Sequence, residues 1–283
     1  MVSESRGEHR AADGVTLATV TWLPERPKAL VLLAHGHAEH LGRYAHVVAA
    51  LTERGYAVTG QDHRGHGRSG GERALVMRFD DYVDDLRLLA VRARQEFPDL
   101  AQVLVGHSMG GLIAARYALR FGDELQALVT SGAAFIVDEG TPAWLRPPAR
   151  LLAKVWPTAP VPRDDTDTLS TDPAVRLAFK ADPLCYNGKT RLRTAMEMID
   201  AGRDALARAA DLHLPYLAMH GASDQLTDPS GTERFYEAAS STDKTLKLWP
   251  GMKHEIFNEF DQESVITYML DWLDHRIPGR QIS

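Results

Sequence analysis

The sequence predicts an α/β protein: a mostly parallel open sheet flanked by helices, with a helical segment inserted into it. Three observations predict this class. Short apolar, β-branched runs alternate with longer amphipathic stretches, the pattern of strands joined by crossover helices. Most of the runs are apolar nearly throughout, as strands buried on both faces require. The alternation lapses once, over residues 135–213, where prolines accumulate.

Taken in order, the strand-like runs are 17–22, 29–34, 57–62, 103–105, 127–130, 216–219 and 245–249. Between them the helical pattern covers 44–54, 79–97, 112–120, 232–239 and 264–274. In 79–97, Val83, Leu86, Leu89 and Ala90 recur at three- and four-residue spacing, which turns one apolar face toward a sheet. Segment 135–213 holds Pro142, Pro147, Pro148, Pro157, Pro160, Pro162, Pro173 and Pro183, more than half of the chain's 15 prolines. Helical patterns persist there at 144–156, 173–180 and 191–209, without strand-like alternation. A structureless loop of ~80 residues is foreign to a compact domain, so the segment reads as a helical cap on a core made of 1–134 and 214–283. Two further βα units with weak strands are the alternative.

Length and composition set limits. At 283 residues the chain is large for one plain domain and short for two. A net charge of −6 argues against binding a phosphate backbone, so no nucleic-acid partner is expected. Hydrophobic residues at 44% and charged residues at 25% exclude a disordered chain. No apolar run approaches the ~20 residues of a membrane span. The polar N-terminus lacks the apolar stretch of a signal peptide. With one cysteine, Cys185, no intrachain disulfide forms. The expectation is a cytoplasmic protein.

Two pentapeptides fit G-x-S-x-G: Gly106-His107-Ser108-Met109-Gly110 and Gly67-Arg68-Ser69-Gly70-Gly71. A nucleophile elbow needs a strand before it and a helix after it. Ser108 follows Val103-Leu104-Val105 and leads into a helical run, whereas Ser69 lies in a Gly- and Arg-rich loop. Ser108 is therefore the candidate nucleophile, which needs a base and a group orienting that base. The chain order Ser, acid, His selects Asp224 and His254, each just past a strand end. Asp228 competes for the acid, but it precedes Pro229 and suits a helix start. Backbone amides of Met109 and of His37 (Ala38 next) are the candidate oxyanion donors. Twelve histidines raise a metal reading, yet His35, His37, His40, His63 and His66 follow no metal-site spacing. They read as loop residues hydrogen-bonding around a polar site mouth, and no metal or cofactor is expected.

These stretches resemble the α/β hydrolases and, within them, the monoacylglycerol lipase and lysophospholipase-like group. The matching residues are His35-Gly36-His37-Ala38-Glu39-His40-Leu41-Gly42-Arg43-Tyr44, Asp62-His63-Arg64-Gly65-His66-Gly67-Arg68-Ser69, the Ser108 elbow, Ala181-Asp182-Pro183-Leu184, His220-Gly221-Ala222-Ser223-Asp224 and His254-Glu255. The resemblance implies an eight-stranded sheet under a helical cap, a Ser108–Asp224–His254 triad, and Glu39 and Arg43 at the polar, head-group end of a pocket. By residue type alone, Glu39 and Arg43 equally read as a surface i,i+4 ion pair. Three departures bear on binding: His37-Ala38 replaces a small residue followed by Gly, Phe179 stands where Tyr is frequent, and Phe257 where some members carry His.

The expected activity is a serine carboxylester hydrolase cleaving monoacylglycerols to fatty acid and glycerol. A lysophospholipase, a short-chain carboxylesterase and a non-catalytic ligand-binding scaffold are the alternatives. In the cap, Trp144, Leu145, Leu151, Leu152 and Val155 lie beside Arg146, Arg150 and Lys154. Packing on the core accounts for that stretch; so does an acyl-channel wall that touches membrane surfaces transiently.

Overall fold

The computed structural model describes residues 1–138, 142–161 and 168–277; parts of the expected cap, Pro162 among them, lie outside the described residues. Eight strands form one sheet: β1 (Val2–Arg10), β2 (Thr16–Pro24), β3 (Ala29–Ala34), β4 (Tyr56–Gln61), β5 (Gln102–His107), β6 (Ala127–Ser131), β9 (Tyr216–Gly221) and β10 (Lys244–Trp249). Their spatial order is β1-β2-β4-β3-β5-β6-β9-β10. β1, β2 and β4 pair antiparallel, and every pair from β4 to β10 is parallel. β3, β4, β5, β6 and β9 are buried along their whole length. This explains their nearly continuous apolar sequences.

Side chains alternate between two cores. Val31, Leu33, Val103, Val105 and Val129 face α1 (Ala45–Glu53) and α8 (Gln262–Asp274). Leu30, Leu32, Leu104 and Leu128 face α2 (Asp80–Glu96), α3 (Met109–Phe121) and α7 (Pro229–Ala238). The helix expected at 112–120 begins three residues earlier, immediately after Ser108.

β1 carries no signal that periodicity detects. All of its residues but His9 are exposed, and Glu4, Arg6, Glu8 and Arg10 leave it without apolar alternation. It holds by its ladder to β2 at the sheet edge, where charge discourages pairing with other chains.

Between β6 and β9 lie α4 (Arg146–Val155), α5 (Pro173–Ala181) and α6 (Leu192–Ala207). Strands β7 (Pro160–Val161) and β8 (Thr190–Arg191) pair there too, each too short to show a period of two. α6 is fastened to the loop before α2: Thr194 Oγ1 accepts from Val76 N at 3.0 Å and donates to Ala74 O at 2.9 Å, and Glu197 accepts from Phe79 N at 2.9 Å.

Gly202 lets α6 approach the chain leaving β6, because an added Cβ would lie 2.3 Å from Phe135 O. Gly202→Ala sets a helix-propensity gain of about 1 kcal/mol against a collision with backbone. The collision wins, since a backbone carbonyl cannot step aside as a flexible side chain can. We expect a net destabilisation of about 1–3 kcal/mol in denaturant unfolding; unchanged or raised stability would contradict this packing.

Candidate active site

The strand-to-helix turn at Ser108 is tightly constrained. Ser108 takes φ 55° and ψ −121°, a conformation costly for a residue with a Cβ, between the end of β5 and the first turn of α3. A Cβ on Gly106 would lie 2.3 Å from Gly110 O, and one on Gly110 would lie 2.2 Å from Ala34 O. Only glycine at both places lets α3 descend onto the sheet and lift the Ser108 hydroxyl above the strand ends. Ser69 has a different part: its buried Oγ donates to Asp62 O at 2.5 Å and accepts from Ala18 N at 2.9 Å, tying its loop to strand β2 and to the end of β4.

Three loops past the same sheet edge converge on Ser108. Its Oγ–H donates to His254 Nε2 at 2.8 Å, and His254 Nδ1–H donates to Asp224 Oδ2 at 2.7 Å. Asp224 Oδ1 accepts from the amides of Leu226 (2.8 Å) and Thr227 (3.1 Å), and Thr227 Oγ1 donates to Oδ2 at 2.8 Å. Burial opposes charge on Asp224, but His254 and these donors outweigh it and hold the carboxyl far below the usual range. Burial likewise opposes charge on His254, and the Asp224 carboxylate overcomes it, raising the imidazole above its ordinary value. Asp228, the competing acid, caps α7 instead, accepting from Ser230 N at 2.9 Å.

His37 and Met109 both line the cavity above Ser108. Met109 opens α3, whose leading amides have no acceptor within the helix. Next to His37, Ala38 sits at φ 67°, the left-handed region that glycine enters freely. Its carbonyl accepts from Tyr186 N at 2.8 Å, and its methyl packs with Leu169, Phe179 and Cys185. Alanine here therefore follows a glycine-like path and ties the loop to the insertion.

Glu39 and Arg43 are not a surface pair. Arg43 is clamped between two buried carboxylates, with Nη1 donating to Glu39 Oε2 (2.5 Å) and Glu255 Oε1 (2.8 Å), and Nη2 donating to Glu255 Oε2 (2.6 Å). Glu39 Oε1 accepts from Gly36 N and Tyr44 Oη, each at 2.6 Å. Glu39 and Glu255 reach the cavity wall, whereas Arg43 is not among its lining residues. Phe179 lines the cavity and carries the Arg43 guanidinium 5.1 Å above its ring. Phe257 belongs instead to the core with Ile256 and Val265, because the turn after His254 carries its ring beneath the site.

The cavity measures about 420 Å³. The core lends it Gly36, His37, Glu39, His107, Ser108 and Glu255, a polar wall. The insertion lends it Ala149, Leu169, Leu192, Met196, Met198 and Ile199, an apolar one. Glu255, Thr227 and His107 escape sequence reasoning as site residues. Glu255 is signalled only by adjacency to His254, and His107 only as the variable position of the pentapeptide. Nothing local signals Thr227.

Of the loop histidines, His37 is half-buried and lines the cavity, whereas the others lie in the interior and not at a site mouth. His35, His63 and His66 are buried, with ring centroids of His35 4.2 Å from His63 and 5.7 Å from His66. His35 Nε2 accepts from His63 N at 2.9 Å, so Nδ1 carries the proton and donates to Gly36 O at 2.8 Å. Burial pushes His66 down to about 4 and His35 and His63 well below their ordinary value. Among the described residues, His40, Asp182 and Cys185 bring ligand-type atoms within 4.8 Å of one another. His40 Nδ1 accepts from Gly42 N, which leaves Nε2 protonated and donating to Asp182 at 2.8 Å. That arrangement serves as a link from core to insertion and opposes metal binding through Nε2, which would need the proton gone.

An eight-stranded, mostly parallel sheet carrying a serine on its central strand–helix turn defines an α/β hydrolase. Residues 25–261 match the family described as "Serine aminopeptidase, S33", and the chain belongs to that family of serine hydrolases. It is 40% identical over 276 residues to a monoacylglycerol lipase of Mycolicibacterium smegmatis, covering 96% of this chain and 99% of that one. Among solved structures it is similar to a monoacylglycerol lipase of Paleococcus ferrophilus (27% identity, TM-score 0.82, 93% and 99% covered). A soluble variant of monoglyceride lipase from Saccharomyces cerevisiae, in complex with a substrate analog, also matches it (26% identity, TM-score 0.87, 98% and 96% covered).

Arg43→Met would leave the Glu39 and Glu255 carboxylates facing each other in the interior without a counter-charge. Removing one partner of a buried ion pair costs about 3–5 kcal/mol. We therefore expect a pronounced fall in thermal stability, readable by calorimetry. A melting temperature equal to that of the unaltered chain would show that the clamp carries no stability.

Proposed function

We propose that this protein is a carboxylester hydrolase cleaving monoacylglycerols to fatty acid and glycerol through an acyl-enzyme on Ser108. One observation carries the reading: the Ser108–His254–Asp224 chain opens into a cavity with a polar core wall and an apolar insertion wall. An ester joining a small polar alcohol to one apolar chain matches both walls. The relatives named monoacylglycerol lipase support it.

Ser108 Oγ attacks the ester carbonyl carbon as its proton passes to His254 Nε2, and Asp224 stabilises the resulting imidazolium. The tetrahedral oxygen faces the amides of His37 and Met109; one such donor is worth about 10²–10³ in rate. His254 protonates the departing glycerol oxygen. It then takes a proton from water, whose oxygen attacks the acyl carbon, releasing the fatty acid and restoring Ser108.

The polar wall also discriminates among head groups. Glu39 and Glu255 offset the one charge of Arg43 and leave the cluster net negative, which disfavours the phosphate of a lysophospholipid. Their oxygens already accept from Gly36, Tyr44, Arg43 and Asn258, so each carboxylate is held in place by the fold.

Segment 135–213 acts in this reading as the cap. On α4 and the turn before it, Trp144 is 72% exposed, Leu151 65% and Val155 75%, a continuous outward apolar stripe. Arg146 is paired with Asp138, and Arg150 with Asp200. Contact with a lipid surface therefore rests on the apolar stripe more than on charge. Among the described residues no helix is long and apolar enough to cross a membrane.

Ser108→Ala should lower hydrolysis of 1-monoacylglycerols at least about 10⁴-fold. The intact chain should prefer them over lysophosphatidylcholine and aminoacyl anilides in a release assay. Retained turnover in the variant, or faster anilide cleavage by the intact chain, would refute the reading. In flotation with phosphatidylcholine vesicles, the Trp144→Ser, Leu145→Ser variant should rise less than the unaltered chain while keeping activity on a soluble short-chain ester. Equal partitioning of the two would remove the lipid-surface role.

A further inference from the structure

We infer that His220 is a positioning residue for the proposed reaction: a second imidazole, on the far side of Asp224, that fixes the oxygen to which His254 is bonded. The inference rests on the Ser108–His254–Asp224 reading and deepens it. His220 ends β9 and has no exposed surface. Its Nε2 lies 2.9 Å from Asp224 Oδ2 and 3.1 Å from the backbone oxygen of Thr227. Both of these accept, so Nε2 carries a proton. Nδ1 then accepts from the Thr232 hydroxyl, 2.7 Å away at the start of α7. The two acceptors at Nε2 select the tautomer, the Thr232 hydroxyl fills Nδ1 accordingly, and β9 and α7 hold the ring from both sides.

Asp224 Oδ2 therefore receives three donors: His254 Nδ1, His220 Nε2 and Thr227 Oγ1. Its partner Oδ1 is held by two amides of the 224–227 turn. Those amides fix the plane of the carboxylate from one oxygen only. His220 fixes the other, and it draws on the same negative charge that His254 uses. Two consequences follow for the reaction. The Asp224–His254 bond keeps one direction as the imidazole gains and loses its proton, which keeps Nε2 aimed at Ser108. The carboxylate's pull on that proton is also moderated, because part of its charge is spent on His220.

His254 is faced by Asp224, by Glu255 and Glu39 on the pocket side, and by the His107 ring, 4.9 Å between centroids. Glu255, Glu39 and Asp224 raise its proton affinity, and His107 is held neutral, pushed down to about 4 by burial. Removing His220 leaves all of these in place and changes only the donor set on Asp224.

The test compares His220→Leu, His220→Gln and Thr232→Val with the unaltered chain, each corrected for active sites with a fluorophosphonate probe. His220→Leu should lower kcat about 10- to 100-fold, the worth of one hydrogen bond to a charged group, with KM little changed. Its acid limb of kcat/KM should move to higher pH, since His254 would then share Asp224 Oδ2 with Thr227 Oγ1 alone. His220→Gln, whose amide N–H reaches the same oxygen, should restore most of kcat and return the limb. Thr232→Val should shift both in the direction of His220→Leu by a smaller step. Labelled His220→Leu enzyme with unaltered kcat and acid limb would overturn the inference, as would equal loss in His220→Gln without movement of the limb. Failure of the underlying reading shows separately: the probe would then label the unaltered chain at a residue other than Ser108.

Discussion

The close approach of α3 to the sheet is the constraint on which the site depends. Ser108 stands in a conformation that a residue with a side chain avoids, and it stays there because the chain on both sides has no other path. Gly106 and Gly110 bring helix and strand within a distance that any Cβ would forbid. The strain is supported by the surrounding burial: β3, β5 and β6 are fully enclosed, and α3 is buried along most of its length. From this fixed point the other parts take their places. Parallel strands deliver the Asp224 and His254 loops to the same edge, and Gly36–Ala38 rises from β3 alongside. The site is thus positioned by sheet topology, with loops supplying only the last residues.

What the sequence discloses follows from what each residue has to satisfy locally. Strands buried on both faces read as apolar runs, so β3, β4, β5, β6 and β9 were legible with their neighbouring helices. Ser108 was separable from Ser69 because a strand before and a helix after are both visible in the chain. β1 was not legible, since its nine residues satisfy water and one neighbouring strand and need no apolar pattern. The Arg43 clamp was half legible. Glu39 lies four residues away and shows itself as a pair, but Glu255 lies 212 residues away and joins only through the fold. Burial decides the energetic meaning of that pair, and burial is not readable from two charges at helical spacing. The same holds for Phe257, whose fate depends on the direction of one turn after His254.

Buried carboxylates recur through the site, and each is handled in the same way. Asp224 and Glu39 both accept backbone amides from the loops they stabilise, Leu226 and Thr227 in one case and Gly36 in the other. Each also meets a cationic or proton-bearing side chain. A carboxylate taken out of water is tolerated only when its lone pairs are filled. In return it fixes loop geometry more firmly than apolar contacts do, since its acceptors are directional. The carboxylates of the pocket's polar wall are therefore held in place by donors of the fold itself.

The histidine cluster behind the Gly36–Ala38 loop has a consequence for how the folded state ends. His35, His63 and His66 are neutral in the interior, with proton affinities pushed far down by burial. Once the chain unfolds, each returns to the ordinary value near 6.5. Below that pH the unfolded chain binds protons that the folded chain refuses, so unfolding is accompanied by proton uptake and stability falls as acidity rises. The share of His66 in this fall ends near pH 4, where it begins to charge inside the fold. His35 Nδ1–H also supports Gly36 O, so the groups that make the protein acid-labile are the same ones that shape the loop beside Ser108. Acid inactivation and loss of loop geometry are then one event, driven by solvent protons reaching a dry cluster of imidazoles.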